Sequence, residues 1–414
     1  MFVDNSSSKY FPATLFFLVI AIPFLFSCFN ADKEKNAALK RDGIFTYENY
    51  LEKSPDLHVL LLKNVKKAEI EISSSYSIYD MDNNLVLARD TNLPESIIYT
   101  NSGRFYIEPV SAHSKPKIAG TINKKIRIAL KNDGYIKLNN LKYRGNLLII
   151  PKAGDSFSVL EEINVESYLP GVIESEMPIE WQDDAILAQV VAARSYAIYQ
   201  KKVKKDSQYH IDKMDLAYNG SYNRLPRAEE MVSRSRGIVM VYNWELLPGY
   251  FHSTCGGHTE DINTVFGLKS IMPLSGVKCG YCNRSKYYRW NKEIKKNEIE
   301  KHLRNSKIYV KNIYNIEGDK IGPGGHYSTI KVKHSGGTKM LNANDFRIMM
   351  GPNKLLSTAF KAINNGRSLM FKGKGWGHGV GLCQYGTRDM AKTGYKWTEI
   401  LKHYYPGIDL VKIY

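Results

Sequence analysis

The chain has 414 residues, 43% of them hydrophobic and 24% charged. That balance supplies apolar material for one large or two modest domains and excludes collagen-like and disordered classes. Lys and Arg number 58 against 41 Asp and Glu, a formal charge of +17, which favours nucleic acid, anionic lipid or acidic wall polymer as partners without choosing among them. Five cysteines are too few, and odd in number, for a disulfide framework.

In chain order, the first element is an apolar stretch over 10–27 (YFPATLFFLVIAIPFLFS), uncharged, preceded by Lys9 and followed by Cys28. It is marginal against the roughly 20 apolar residues of a bilayer span, and Pro12 and Pro23 interrupt it, so a cleaved signal peptide over 1–28 is the favoured reading. Leu25-Phe26-Ser27-Cys28 resembles a lipobox, in which Cys28 would carry lipid; an uncleaved anchor and a plain secretion signal stay open. All three put the body of the protein outside the cytoplasm, periplasmic or at the cell surface, and the lipobox and the uncleaved anchor would also hold it at a membrane. Residues 29–57 are polar and read as a solvated tether.

From His58 to about Val165 the signals are those of strands: alternation in Ala68–Ile72 and Ile126–Leu130, a turn at Asn132-Asp133-Gly134, then Tyr135–Leu138, Asn146–Ile150 and Ser156–Leu160. The texture changes at Glu166. Dense alanines and aliphatics from Asp183 to Lys202, with Asp183 as N-cap candidate, predict a mostly buried helix. Further helices are expected near Lys292–Leu303 and from about Thr387 to Tyr404. The fold class is therefore α+β, a β-rich N-terminal region followed by a mixed domain built around the buried helix.

Three constellations carry chemistry. Glu176 stands in Ser175-Glu176-Met177-Pro178 ahead of that helix. Pro178 restricts the residue before it, so an ordered turn is expected, and a carboxyl beside Met177 and Trp181 would hold its proton more tightly, as a general acid must; an exposed loop glutamate is the plain alternative. Cys255-x2-His258 and Cys279-x2-Cys282 have the spacing of a closed, structural zinc site, with His252 as another fourth ligand and a disulfide as the competing reading. Gly373 to Gly386 alternates glycines with Trp376, His378, Gln384 and Tyr385, implying close approach of either a strand or a ligand. It lacks the pattern of a phosphate-binding loop. Cys383 is left over and reads as a buried free thiol.

Three stretches, ESYLPGVIESEMPIEW with AILAQVVAARSYAIY, FHSTCGGHTEDINTVFG, and GKGWGHGVGLCQYGTRDMAKTGYKWTEILKHYYPGIDL, strongly resemble the SpoIID/LytB family of bacterial cell-wall proteins. The likeness covers roughly residue 138 to the end, so a SpoIID-type domain is expected over 138–414, after the β-rich region 58–137. The resemblance implies a lytic transglycosylase cleaving the MurNAc–GlcNAc bond of peptidoglycan strands, especially denuded ones, with Glu176 as general acid and base and 1,6-anhydroMurNAc ends as product. It implies Arg194 near the cleft, holding the lactyl group, and His378, Gln384 and Tyr385 lining the saccharide site, with bracing of the glycine-rich bend as their alternative. Another branch of the family is described as amidase enhancers, so the competing function is a non-catalytic, glycan-binding enhancer of an N-acetylmuramoyl-L-alanine amidase. Under either function the positive charge meets anionic wall polymer and nucleic acid recedes as a partner.

Overall fold

The computed structural model describes residues 37–41, 44–47, 51–111, 118–122, 124–213 and 215–414. The leader over 1–28 and Cys28 lie outside them. The described chain is mixed α+β, as expected from the sequence.

The β-rich part consists of two sheets over a shared core. One has seven strands in the order Ile211–Asp212, Asp56–Val65, Ser156–Asn164, Asn146–Lys152, Ile126–Leu130, Tyr76–Asp80, Leu85–Asp90. The other has six, in the order Leu141–Tyr143, Ile136–Leu138, Lys67–Ile72, Leu93–Asn101, Arg104–Pro109, Ile118–Ile122. Alternation in Lys67–Ile72 buries Ala68, Ile70 and Ile72, one face of the strand, whereas Ser156–Asn164 is buried on both faces. Leu60, Leu148, Ile150 and Leu160 form a small second cluster there, with Tyr209 against it. The turn at 132–134 joins strands of different sheets rather than closing a hairpin: Ile126–Leu130 pairs with Tyr76–Asp80, Ile136–Leu138 with Lys67–Ile72. The expected boundary at 137/138 falls inside the strand Ile136–Leu138, which pairs with Lys67–Ile72, and one apolar core runs from Leu57 to Ile413.

Part of the tether is also structured. Ile44–Tyr47 pairs in parallel with Asp409–Lys412, which pairs antiparallel with Ile238–Tyr242. Ile44 and Phe45 supply β-forming side chains that the polar surroundings masked.

Helix α1, Val165–Glu176, precedes the expected buried helix α2, Asp183–Val203. Asn164 caps α1 by accepting the Glu166 N–H at 3.0 Å. Pro170 lies inside α1 and tends to break a helix, which is why the sequence reads only as a segment there; the enclosed face of Tyr168, Leu169, Val172 and Ile173 outweighs it. Helix α2 begins at Asp183 with Gln182 as N-cap, and the Asp183 carboxylate instead receives Arg227 and Arg234. It is buried on nearly all sides, as an apolar helix must be. Near 292 the chain is a strand, Trp290–Lys295, before the helix Lys296–Asn305. The last helical stretch is two helices, Gln384–Lys392 and Trp397–Tyr404, separated at Gly394, whose φ is 95°.

Residues between Trp290 and Phe371 build a second apolar core around Ile299, Phe346 and Phe371. This insertion leaves and rejoins the main body close to the glycine-rich segment.

Candidate active site

Glu176 is the last residue of α1, where the helix stops because Met177 turns to extended backbone. One carboxyl oxygen accepts the Ala217 N–H at 2.7 Å, and the other accepts the Gln384 amide N–H at 3.2 Å. Burial raises the pKa of Glu176 above the ordinary glutamate value, and these two donors pull against it. Three depressions of about 400, 380 and 400 Å³ meet at this side chain: one along Glu174–Glu180, one bounded by Tyr196, Tyr250, Phe266, Arg347 and His378, and one along Lys213–Asn219. A single partly buried carboxyl thus sits where a groove open in several directions converges.

The loop carrying Ala217 is held from below. Glu161, fully buried, accepts the Tyr218 hydroxyl at 2.6 Å, the Ser221 hydroxyl at 2.8 Å and the Gly145 N–H at 3.0 Å. Burial raises its pKa, opposed by those same hydrogen bonds. Asp215 lines the groove as well and is exposed, 3.8 Å from Lys204, and accepts the Asp212 N–H at 3.1 Å; Glu174 and Glu180 line only the first depression.

The glycine-rich segment makes its close approach to protein. Gly377 and Gly381 have φ of 113° and 70°, and a Cβ would lie 2.7 Å from the His252 Cβ at the first and 2.1 Å from the Tyr250 carbonyl oxygen at the second. Only glycine tolerates both conditions. The segment is thereby pressed on 250–255, with Leu382–Cys383 parallel to Phe251–His252, and Gln384 is delivered to Glu176 from 208 residues away in sequence. His378 lines the groove among Tyr250, His252 and Phe266. Burial, with the nearby positive groups second, holds its pKa well below the ordinary value, and its Nδ1 accepts the Val380 N–H at 3.1 Å, so the ring is a neutral member of the wall. Tyr385 packs edge-on against Trp181, and the Arg388 guanidinium lies 4.7 Å from its ring centroid.

Two expected placements are corrected. Arg194 does not reach the groove: it is 0% exposed, and its guanidinium grips both Glu166 carboxylate oxygens at 2.9 Å while donating to the Val232 and Ile238 carbonyls and Ser235. The apolar helix around Arg194 marks it as enclosed. The buried cation along the groove is Arg347, which donates to Asn344 at 3.2 Å, faces no carboxylate among the described residues, and has its pKa lowered by burial to about 10, while Lys213 lines the branch along Lys213–Asn219.

The cysteine cluster also differs from expectation. Cys255, Cys279 and Cys282 come together, but the fourth member is Cys383, with all four sulfurs within 4.8 Å of one another. His258 is not among them; its Nδ1 faces the Thr259 carbonyl at 2.6 Å. His252 is turned to the Val380 carbonyl at 3.1 Å. Cys383 is buried as expected, yet it is not alone.

Comparison with known proteins matches residues 153–242 to the stage II sporulation protein family and 269–381 to a domain of unknown function. An uncharacterized protein of Brachyspira hyodysenteriae is 34% identical over 284 residues, 67% of this chain and 74% of that one. Stage II sporulation protein D of Bacillus subtilis is 28% identical over 268 residues, 61% of this chain and 75% of that one. The chain belongs to the SpoIID/LytB family. A Bacillus subtilis protein named Amidase enhancer is 26% identical over 361 residues, 70% of this chain and 50% of its own length. The 153–242 match spans Glu161, Glu176 and the 217–221 loop, while the 269–381 match overlaps the insertion and most of the glycine-rich segment.

Proposed function

We propose that this SpoIID/LytB member is a lytic transglycosylase of peptidoglycan glycan strands, with Glu176 as its one acid–base residue. The observation that carries the reading is a lone, partly buried carboxyl with a raised pKa at the meeting point of three grooves. A carboxyl that holds its proton more tightly than an ordinary glutamate can deliver it to the oxygen between MurNAc C1 and GlcNAc O4. As that bond breaks, the proton passes to the leaving O4 and positive charge develops at C1. The carboxylate so formed is stabilised by the Ala217 N–H and the Gln384 amide. It then takes the proton of the muramyl C6 hydroxyl while O6 closes on C1, giving a 1,6-anhydro ring and restoring the acid. No second carboxylate is required, and Asp215 is left to its own partners. Arg347 takes the role expected of Arg194, pairing with the acidic lactyl group of a bound muramyl unit.

The same reading places the body outside the cytoplasm, carried there by the leader and held at a membrane through Cys28. The test is digestion of denuded glycan with the wild-type chain and with Glu176→Gln, followed by mass spectrometry of the ends. Anhydro ends from the wild type alone support the assignment; reducing ends, or equal release by the variant, overturn it. The relative named Amidase enhancer supports a second reading, a glycan-binding stimulator of a wall amidase. Under it, sacculus binding and amidase stimulation survive Glu176→Gln undiminished.

A further inference from the structure

We propose that Cys255, Cys279, Cys282 and Cys383 together bind one zinc ion, and that this ion fastens both roots of the insertion to the strand that delivers Gln384. All four residues are at most 1% exposed, and none is in a disulfide. Their sulfurs lie within 4.8 Å of one another, with Cys255 and Cys282 3.5 Å apart. Four zinc–sulfur bonds of about 2.3 Å in a tetrahedron put the sulfurs about 3.8 Å apart, so the cluster needs only small adjustments to close on a single ion. Disulfides would join sulfurs in pairs; one tetrahedral ion uses all four at once.

The surroundings are those of thiolates. The Cys255 N–H points at the Cys383 sulfur at 3.3 Å, the Gly257 N–H at the Cys255 sulfur at 3.4 Å, and the Tyr404 hydroxyl lies 3.2 Å from the Cys279 sulfur. Donors of this kind orient metal-bound sulfur and moderate its charge. A closed set of four protein ligands leaves no position for water, so the ion is structural.

Its placement gives it a consequence. Cys279 and Cys282 precede the insertion at Trp290, Cys383 follows it, and Cys255 lies just beyond the Phe251–His252 strand. Cys383 is also the N-cap residue of Gln384–Lys392, so Gln384 is the first helical residue after a ligand. The ion therefore sets the position of the amide that meets Glu176, a consequence that rests on the glycan-cleaving reading.

Elemental analysis of the full chain purified under reducing conditions is expected to give about one zinc per molecule. Cobalt exchanged into the wild-type chain is expected to show thiolate-to-cobalt charge transfer and intense tetrahedral visible bands, a readout that needs no variant to fold. In competition with a chelator, Cys383→Ser should weaken zinc by more than the roughly 10–100-fold that loss of an outer partner costs, Tyr404→Phe by about that range, and His258→Ala should leave it unchanged. A folded chain without metal, iron in place of zinc, mapped disulfides among these cysteines, or zinc lost with His258 and retained without Cys383 would each overturn the proposal. Metal content and spectrum are read without glycan turnover. A zinc-loaded chain that releases no anhydro ends therefore refutes the catalytic reading alone, and an active, metal-free chain refutes this one alone.

Discussion

Replacing Arg194 with Met separates the two roles considered for this residue. The methionine keeps much of the length and removes the charge, leaving the Glu166 carboxylate, whose side chain is 8% exposed, with the Tyr414 hydroxyl at 2.5 Å and the Gly237 N–H at 3.3 Å. The Val232 and Ile238 carbonyls lose their guanidinium donor as well. Removing one partner of a buried pair costs about 3–5 kcal/mol, a large share of the roughly 5–15 kcal/mol that holds a folded chain together. With a urea dependence of about 3 kcal/mol per molar, the unfolding midpoint should fall by about 1–2 M. The deficit has a pH signature. Burial works to raise the Glu166 pKa, but the Arg194 guanidinium outweighs it and the net direction is down. A depressed carboxyl contributes stability above its unfolded value, about 4.3, and loses it as pH falls through the folded value. The gap between wild type and variant should therefore narrow with acidity, and Glu166→Gln added to Arg194→Met should recover part of the loss. Urea titrations at several pH values, followed by tryptophan fluorescence, make the measurement. A variant that unfolds at the wild-type midpoint but binds glycan more weakly would refute the structural role and return Arg194 to the groove.

Glu176→Gln should lower glycan cleavage by about 10²–10⁴-fold and, unlike Arg194→Met, should stabilise the fold at neutral pH. A raised carboxyl pKa means that ionisation costs the folded state, by about 1.4 kcal/mol for each tenfold change in proton affinity; the gain in melting temperature should vanish as pH falls below about 4.3, and a gain that persists in acid contradicts the reasoning. Wild-type activity should decline as pH rises through the raised pKa of Glu176. Glu161→Gln should cost about 1–3 kcal/mol and, by loosening the loop that carries the Ala217 N–H, move that alkaline limb to higher pH; lost stability with an unmoved limb would make Glu161 structural only. Arg347→Ala should raise KM for muramyl glycan about tenfold or more with a smaller change in kcat, Arg347→Lys partly restoring it, since a cation at a ligand carboxylate contributes about 1.5–3 kcal/mol; equal kcat and KM in wild type and alanine variant would remove it from the site.

Much of this is legible in the amino-acid sequence. Alternation marks Ala68–Ile72 and Ile126–Leu130 because one face of each strand is buried, and density of alanine and aliphatic residues marks Asp183 to Lys202 because that helix has almost no wet side. Glu176 was singled out by its neighbours in the chain, Met177, Pro178 and Trp181, and the cysteine cluster by a two-residue spacer. Local signals failed where distant contacts decide: α1 persists through Pro170 because its apolar face is enclosed, and Ile44–Tyr47 is a strand because Asp409–Lys412 offers an edge.

The site itself divides in the same way. Residue type and spacing determined that a carboxyl, a glycine-rich bend and a set of thiols exist, since each is a chemical property of a short segment. Tertiary structure alone decided their partners. Cys383 replaces His258 because the parallel pairing of Leu382–Cys383 with Phe251–His252 brings it beside Cys255 from 128 residues away. Gln384 reaches Glu176 by the same pairing, Arg194 turns inward because Glu166 of the preceding helix waits there, and Arg347 comes to the groove from an insertion with its own core. Spacing reports which side chains can share a turn of chain; only packing of remote segments, driven by burial of their apolar faces, selects which charges and sulfurs meet.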